Sequence, residues 1–264
     1  VGRVALSFCE TDLIFSLMKT LLVLFLALSA SLRAQDAVTL IRQGDVHDVK
    51  YEANEALKYY LPAEKQQPGN AELLVKIARQ YVFRMTSLST AAEKLASAKT
   101  ALFYSQRAVK IDPKSCEAQL GIAISLGRMA QLQGNKEKVA ASRPIKEAAE
   151  KAAKLDSRND YAWHILGRWH QGIAGANSFL LAIARLVYGD IPEASNDKAV
   201  EYFKKAISLR PDRLIHHIEL GRTYAQMGKT EEARQLLEKG LAMPNTEKDD
   251  AETKERGRKT LAGL

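Results

Sequence analysis

The sequence predicts an all-α, right-handed solenoid of about five helical hairpins stacked side by side. Three observations predict it. A two-part pattern of small and large residues recurs in order along the second half of the chain. Weaker copies stand in phase ahead of it. The composition, 46% apolar and 27% charged with 15 Gly and 7 Pro in 264 residues, is globular, which excludes a disordered, collagen-like or polytopic membrane chain. The two cysteines, Cys9 and Cys116, cannot form a disulfide framework and fit no zinc-ligand spacing, so the core has to hold by packing alone.

The first residues read as a leader. Met18-Lys19-Thr20, the apolar run 21–30 (LLVLFLALSA) and then Ser31-Leu32-Arg33-Ala34 have the layout of a secretory signal peptide cleaved near residue 34. Met18 would make a better start than Val1. Two readings compete with cleavage: an uncleaved anchor over residues 13–32, whose only charge is Lys19, and a misread cytosolic start. In each case residues 35–264 form a single repeat domain. The protein is expected to be exported, periplasmic or extracellular, with membrane anchoring through the N-terminal segment as the alternative. The net charge of +8 stays positive without residues 1–34.

The clearest copies of the pattern are Trp163-x-x-Leu166-Gly167-x-x-His170 with Ala199-x-x-x-Phe203-x-x-Ala206-x-x-x-x-Pro211. They are followed by His217-x-x-Leu220-Gly221-x-x-Tyr224, Gly228 and Ala233-x-x-x-Leu237-x-x-Gly240. These are the two helices of a tetratricopeptide-like repeat in the right order. Small residues at Gly167, Gly221, Ala199 and Ala233 allow close helix approach, the large ones fill the groove between helices, and Pro211 stops the second helix. Earlier copies place Leu74, Ile77, Ala78 and Tyr81 against Ala101, Ser105, Ala108 and Pro113. Gln119, Ile122, Ala123 and Leu126 likewise face Ile145, Ala149, Ala152 and Ser157, and Ala56, Tyr60, Ala63 and Pro68 belong to a degenerate first repeat. The closing positions 68, 113, 157, 211 and 245 are separated by 45, 44, 54 and 34 residues. Against the usual period of about 34, three repeats carry extra residues between their helices. An excess of ten or eleven, about three helical turns, lets both helices lengthen without losing register, so tall hairpins are expected.

The largest insert, 171–196, contains Phe179 to Tyr188 (FLLAIARLVY), apolar on all sides except for Arg185. Such a helix is expected to tuck against its neighbours, with a dimerisation, partner or membrane surface as the alternative. Residues 246–259 offer Lys248–Glu252, Asp250–Lys254, Glu252–Arg256 and Glu255–Lys259 at i,i+4 and read as a solvated capping helix.

Several segments together resemble the regulator of microtubule dynamics family. They are Ala71-Glu72-Leu73-Leu74 with Ala78-Arg79, Leu166-Gly167-x-Trp169 before the apolar insert, and Ala242-Met243-Pro244 leading into the acidic-basic tail. The resemblance implies a tetratricopeptide-like non-enzymatic adaptor, and animal members are linked to microtubules and to mitochondrial or membrane contact sites. The leader departs from that pattern and looks bacterial and exported, so the fold is carried over and the tubulin role is not, with a membrane-anchored or cytoplasmic adaptor of the microtubule-regulator type as the alternative.

The residues suggest a binding surface and no chemistry. Five histidines, 47, 164, 170, 216 and 217, match no metal or catalytic spacing, and His170 and His217 fall at core positions. No dinucleotide, phosphate-binding or nucleophile-elbow motif occurs, and Cys116 reads as an inert thiol, so neither enzyme activity, metal nor cofactor is expected. Counting each repeat from residues 71, 116, 160 and 214, the ninth position holds Arg79, Ile124, Arg168 and Arg222. That position faces the concave groove, as do Lys76, Arg128 and His164. Arginine forks suit carboxylates, so the groove is expected to hold an acidic peptide or protein partner. The competing reading is that these cations pair with Glu72 and Glu219 on the same face. Basic residues are spread along the chain without interleaved aromatics, which argues against nucleic acid.

Overall fold

The computed structural model describes residues 36–189 and 193–264. The predicted leader and Met18 lie outside them, as do residues 190–192 of the insert.

Among the described residues the chain is all helical. α1 covers 36–48, followed by α2 (Ala53–Gln66), α3 (Ala71–Arg84), α4 (Ala91–Ile111), α5 (Cys116–Leu132) and α6 (Asn135–Leu155). Then come α7 (Asp160–Ala174), α8 (Ser178–Tyr188), α9 (Asn196–Leu209), α10 (Leu214–Gln226), α11 (Thr230–Ala242) and α12 (Asp250–Leu261). They pair as α1/α2, α3/α4, α5/α6, α7/α9 and α10/α11, each hairpin stacking on the next, with α12 closing the last one. This is the right-handed tetratricopeptide-like solenoid of five repeats.

Polar caps set where most of these helices begin. Asn70, Ser115, Asn159, Asn177 and Ser195 each accept a first-turn backbone N–H, and Thr90 with Glu93 forms a reciprocal capping box. Each such cap stabilises its helix by about 1 kcal/mol. The extra residues go largely into α4 and α6, each 21 residues, and into α5, 17, whereas α10 and α11 have 13 each. α3 keeps 14 residues and ends in a 3-10 turn at Met85–Ser87, so in that hairpin the second helix alone lengthens. The excess of the fourth repeat becomes α8, a separate helix between α7 and α9.

The core runs along the seams between helices. Leu166, Gly167, Ala199, Phe203, Ala206, Leu220, Gly221 and Ala233 are buried. A Cβ on Gly167 would meet the Phe203 ring at 2.9 Å, and one on Gly221 would meet Leu237 Cγ at 2.9 Å and the Ala233 carbonyl oxygen at 3.2 Å. Other pattern residues serve the hairpin without entering the core. Trp163 and Tyr224 are half-buried, Trp163 donating to the Ser157 carbonyl at 2.9 Å. Pro211 is exposed past the end of α9, and Gly228 turns the chain at φ 72° with open space around it.

Two expectations need correction. α8 is not tucked in: Ala184 is its buried residue, while Phe179, Leu186 and Val187 are 62%, 87% and 39% exposed. The reason is that α7 and α9 pair directly with each other and leave α8 to lean chiefly on α6. The C-terminal helix begins at Asp250 rather than 246 and is not merely solvated, since Asp250, Thr253 and Gly257 are buried against α10 and α11. Of the four anticipated pairs, Glu252–Arg256 and Glu255–Lys259 are present. Lys248 and Lys254 instead donate to the carbonyls of Tyr51 and Met243.

Candidate functional site

The concave face holds a cavity of about 990 Å3. Its walls come from the first helices of successive repeats: Val75, Ala78, Val82 and Phe83 on α3, Leu120 and Ile124 on α5, Ile165 and Trp169 on α7. The inward face of α8 adds Leu180, Leu181, Ala184 and Tyr188. The middle of the groove is therefore apolar, and the charge lies along its rim.

Four of the six predicted groove residues, Arg79, Arg128, His164 and Arg168, lie on the cavity wall. Arg222 borders a separate shallow hollow with Arg168, and Lys76 stands at the N-terminal end of the groove. All five cations among them are paired. Lys76 holds Asp45 at 2.6 Å, Arg79 holds Asp48, and Arg128 holds Asp249 at 2.8 Å. Arg168 and Arg222 meet on Glu219, Arg222 at 2.6 Å, with Arg256 of α12 at 3.3 Å as the third cation. Glu219 is fully buried. Burial pushes its carboxyl up, but Arg168, Arg222 and Arg256 together outweigh that and hold it below its ordinary value. The pairing with Glu219 that the sequence offered is what the structure shows.

One of these carboxylates, Asp249, comes from a part of the chain that the repeat pattern does not place in the groove. The segment between α11 and α12 crosses the concave side and reaches the first repeat. Tyr51 donates its hydroxyl to the Thr246 carbonyl at 2.8 Å and to Glu247 Oε2 at 3.1 Å, while Lys248 donates back to the Tyr51 carbonyl at 3.2 Å. Asp250 fixes this strap from within by accepting the N–H groups of Thr246 and Glu247, both at 2.7 Å. Tyr51 sits at φ 59°, a left-handed conformation that costs a non-glycine residue about 1 kcal/mol. The strap thus meets a strained turn. Glu247, Lys248 and Asp249 line the cavity, so the superhelix closes over its own groove.

Beneath the strap lies a buried polar chain. Asp160 Oδ2 accepts from His216 Nε2 at 2.8 Å, and the Nδ1 atoms of His216 and His164 are 3.0 Å apart. With both rings neutral, His164 donates through Nδ1 and leaves Nε2 as an acceptor. Burial pulls both histidines below their ordinary range, most strongly His164, where the His216 and arginine charges add to it. Burial raises the Asp160 carboxyl, yet the His216 hydrogen bond and the Arg213 charge bring it lower overall. Arg213 bridges Asp160 at 2.5 Å and Glu247 at 2.9 Å, tying this chain to the strap. Of the other histidines, His170 and His217 are buried packing groups and His47 faces Glu52 at 2.6 Å. Burial pushes the Cys116 thiol up to about 11.

The Asp160–His216 and Tyr51–strap contacts join residues 56 and about 195 positions apart, and no local spacing signals them. Glu219 carried a signal, an arginine three residues on.

The sequence model described as "Regulator of microtubule dynamics protein 1-3" matches residues 40–264, from within α1 to the end of the chain. The chain belongs to the regulator of microtubule dynamics family. It is similar to regulator of microtubule dynamics protein 1 of Bos taurus, 28% identical over 221 residues, covering 82% of this chain and 69% of the relative. The corresponding protein of Mus musculus is 27% identical over 220 residues, covering 82% and 72%. Among solved structures, a thermophilic tetratricopeptide protein from Thermus thermophilus superposes with a TM-score of 0.60 at 18% identity, covering 86% of this chain and 99% of that one. The pilF protein of Pseudomonas aeruginosa gives 0.53 at 14% identity, covering 88% and 89%. At those identities the likeness is one of fold, and this chain builds on the tetratricopeptide-like solenoid.

Proposed function

We propose that this member of the family is a non-catalytic adaptor that captures an acidic, partly apolar segment of a protein partner in its concave groove. The observation that carries the reading is the strap: the chain lays its own acidic segment, Glu247 to Asp250, across an apolar cavity rimmed with arginines. A partner carboxylate would exchange with Asp249 at Arg128, its apolar side chains entering between α3, α5 and α7. Extended concave surfaces of stacked repeats suit such partners. The relatives' name ties them to microtubule dynamics, so a microtubule-associated partner is one class to offer the groove, alongside partners reached by export if the leader acts as a signal.

The test is fluorescence anisotropy with labelled peptides that alternate Glu or Asp with Leu and Phe, against basic counterparts. Asp249→Ala leaves Arg128 only its longer contact to Glu252 at 3.8 Å and tightens acidic-peptide binding; Arg128→Ala weakens it. Equal affinity of both variants for acidic and basic peptides sinks the proposal. Arg168→Glu and Arg222→Glu are unsuitable probes, because either would set a second carboxylate against buried Glu219 and lower stability along with binding.

The closed roof and apolar walls favour a second reading, an amphiphile with an apolar chain and an anionic end. Such a ligand fits without displacing the strap. Displacement of a naphthalene-sulfonate dye by a long-chain carboxylate, but not by the peptides, would select it.

A further inference from the structure

We propose that the outer face of α8 is a docking surface for a lipid bilayer bearing anionic headgroups. α8 is apolar on two sides. One side, Leu180, Leu181, Ala184 and Tyr188, faces the cavity; the other presents Phe179 and Leu186, 62% and 87% exposed and seven residues apart on one stripe, with Ala182 exposed between them. The helix stands outside the α7/α9 hairpin and is held to α6 at its C-terminal end. There the Tyr188 hydroxyl donates to the Val139 and Ala140 carbonyls at 2.7 Å and Arg143 lies 4.3 Å over the Tyr188 ring.

Size and charge select the occupant. Eleven residues make a helix about 16 Å long, far short of the roughly 30 Å needed to span a bilayer but suited to lying in the interface. A stripe of that length and about 10 Å wide offers roughly 160 Å2 by helix geometry, about a fifth of the ~800 Å2 per partner of a stable dimer. A second copy is therefore poorly served by this face. The charge near this helix is mainly cationic: Arg185 on α8 is exposed, and exposed Lys136 and Lys138 stand in the first turn of α6, beside the C-terminal end of α8, without an ion pair among the described residues, Lys138 also bordering the cavity. Glu137 stands between the two lysines and Glu193 follows α8 in the chain, both exposed. Exposed phenylalanine and leucine with Arg185 on the same helix and lysines at one end match an anionic lipid surface, apolar side chains entering below the headgroups and cations remaining among them.

The experiment floats the full chain with vesicles of phosphatidylcholine alone or mixed with phosphatidylserine. The double variant Phe179→Ser/Leu186→Ser removes only exposed groups, so it should keep the parent's melting temperature while binding to the mixed vesicles falls at least about tenfold. Raised salt and Arg185→Glu should weaken binding as well, because both act on the headgroup attraction. Residues 1–34 carry their own apolar run, so a second readout is local to α8: Leu186→Trp, followed as emission gained over the parent and quenched by brominated lipid. Quenching in anionic vesicles supports the proposal. A chain that floats while the introduced indole stays unquenched overturns it. So does equal quenching in phosphatidylcholine alone, and so does a doubled mass by light scattering that Leu186→Ser returns to the monomer.

Discussion

Glu219→Ala leaves three arginines, each about 70% buried, facing a hole where one buried carboxylate had balanced them. Breaking a buried ion pair from one side costs about 3–5 kcal/mol, since the remaining charge keeps its desolvation penalty and loses its partner. For a domain of this size each kcal/mol is worth about 2–4 °C, so the melting temperature should drop by about 6–20 °C, followed by circular dichroism at neutral pH. Adding Arg256→Ala to Glu219→Ala removes one of the orphaned charges, so the double variant should lose less than the sum of the two singles. The wild type should also show a matching acid dependence. Because the folded carboxyl sits below its ordinary value of 4.5, the unfolded chain takes up the proton first as pH falls. The stabilisation is complete above about 4.5 and is lost as pH drops through the folded value. A loss below about 2 °C in Glu219→Ala, the size expected of an exposed pair worth under 1 kcal/mol, would refute the claim that this triad holds α7, α10 and α12 together.

Gly221→Ala should cost about 1–3 kcal/mol in chemical denaturation, because the new methyl meets backbone atoms of α11 that cannot turn aside. Gly228 has open space but a left-handed φ, so Gly228→Asn should be milder than Gly228→Val. Tyr51→Phe removes both hydrogen bonds to the strap, and hydrogen exchange at the Thr246 and Glu247 amides should quicken while the amides of α10 keep wild-type protection. His164 and His216 are held below their ordinary 6.5 by burial. Their share of stability is therefore present above about pH 6.5 and declines as pH falls below that, because the unfolded chain gains the protons first. His216→Gln should flatten that part of the melting-temperature profile, and an unchanged slope would count against neutral histidines in the core.

The five-repeat architecture, the close approaches at Gly167 and Gly221, and the family were written into the sequence. Their causes are local: within one hairpin a small residue must stand opposite a large one at a fixed offset, and helical geometry converts that offset directly into contact. The arginines of the concave face were legible as positions, because a ninth residue on each first helix repeats with the period. Their partners were not. Whether Arg128 meets solvent or Asp249 depends on superhelical curvature summed over three repeats, which decides whether the strap can reach across the groove to Tyr51. The outer face of α8 was hidden for a related reason: an apolar run states that burial is favourable, but only the direct pairing of α7 with α9 decided which side of it found a neighbour.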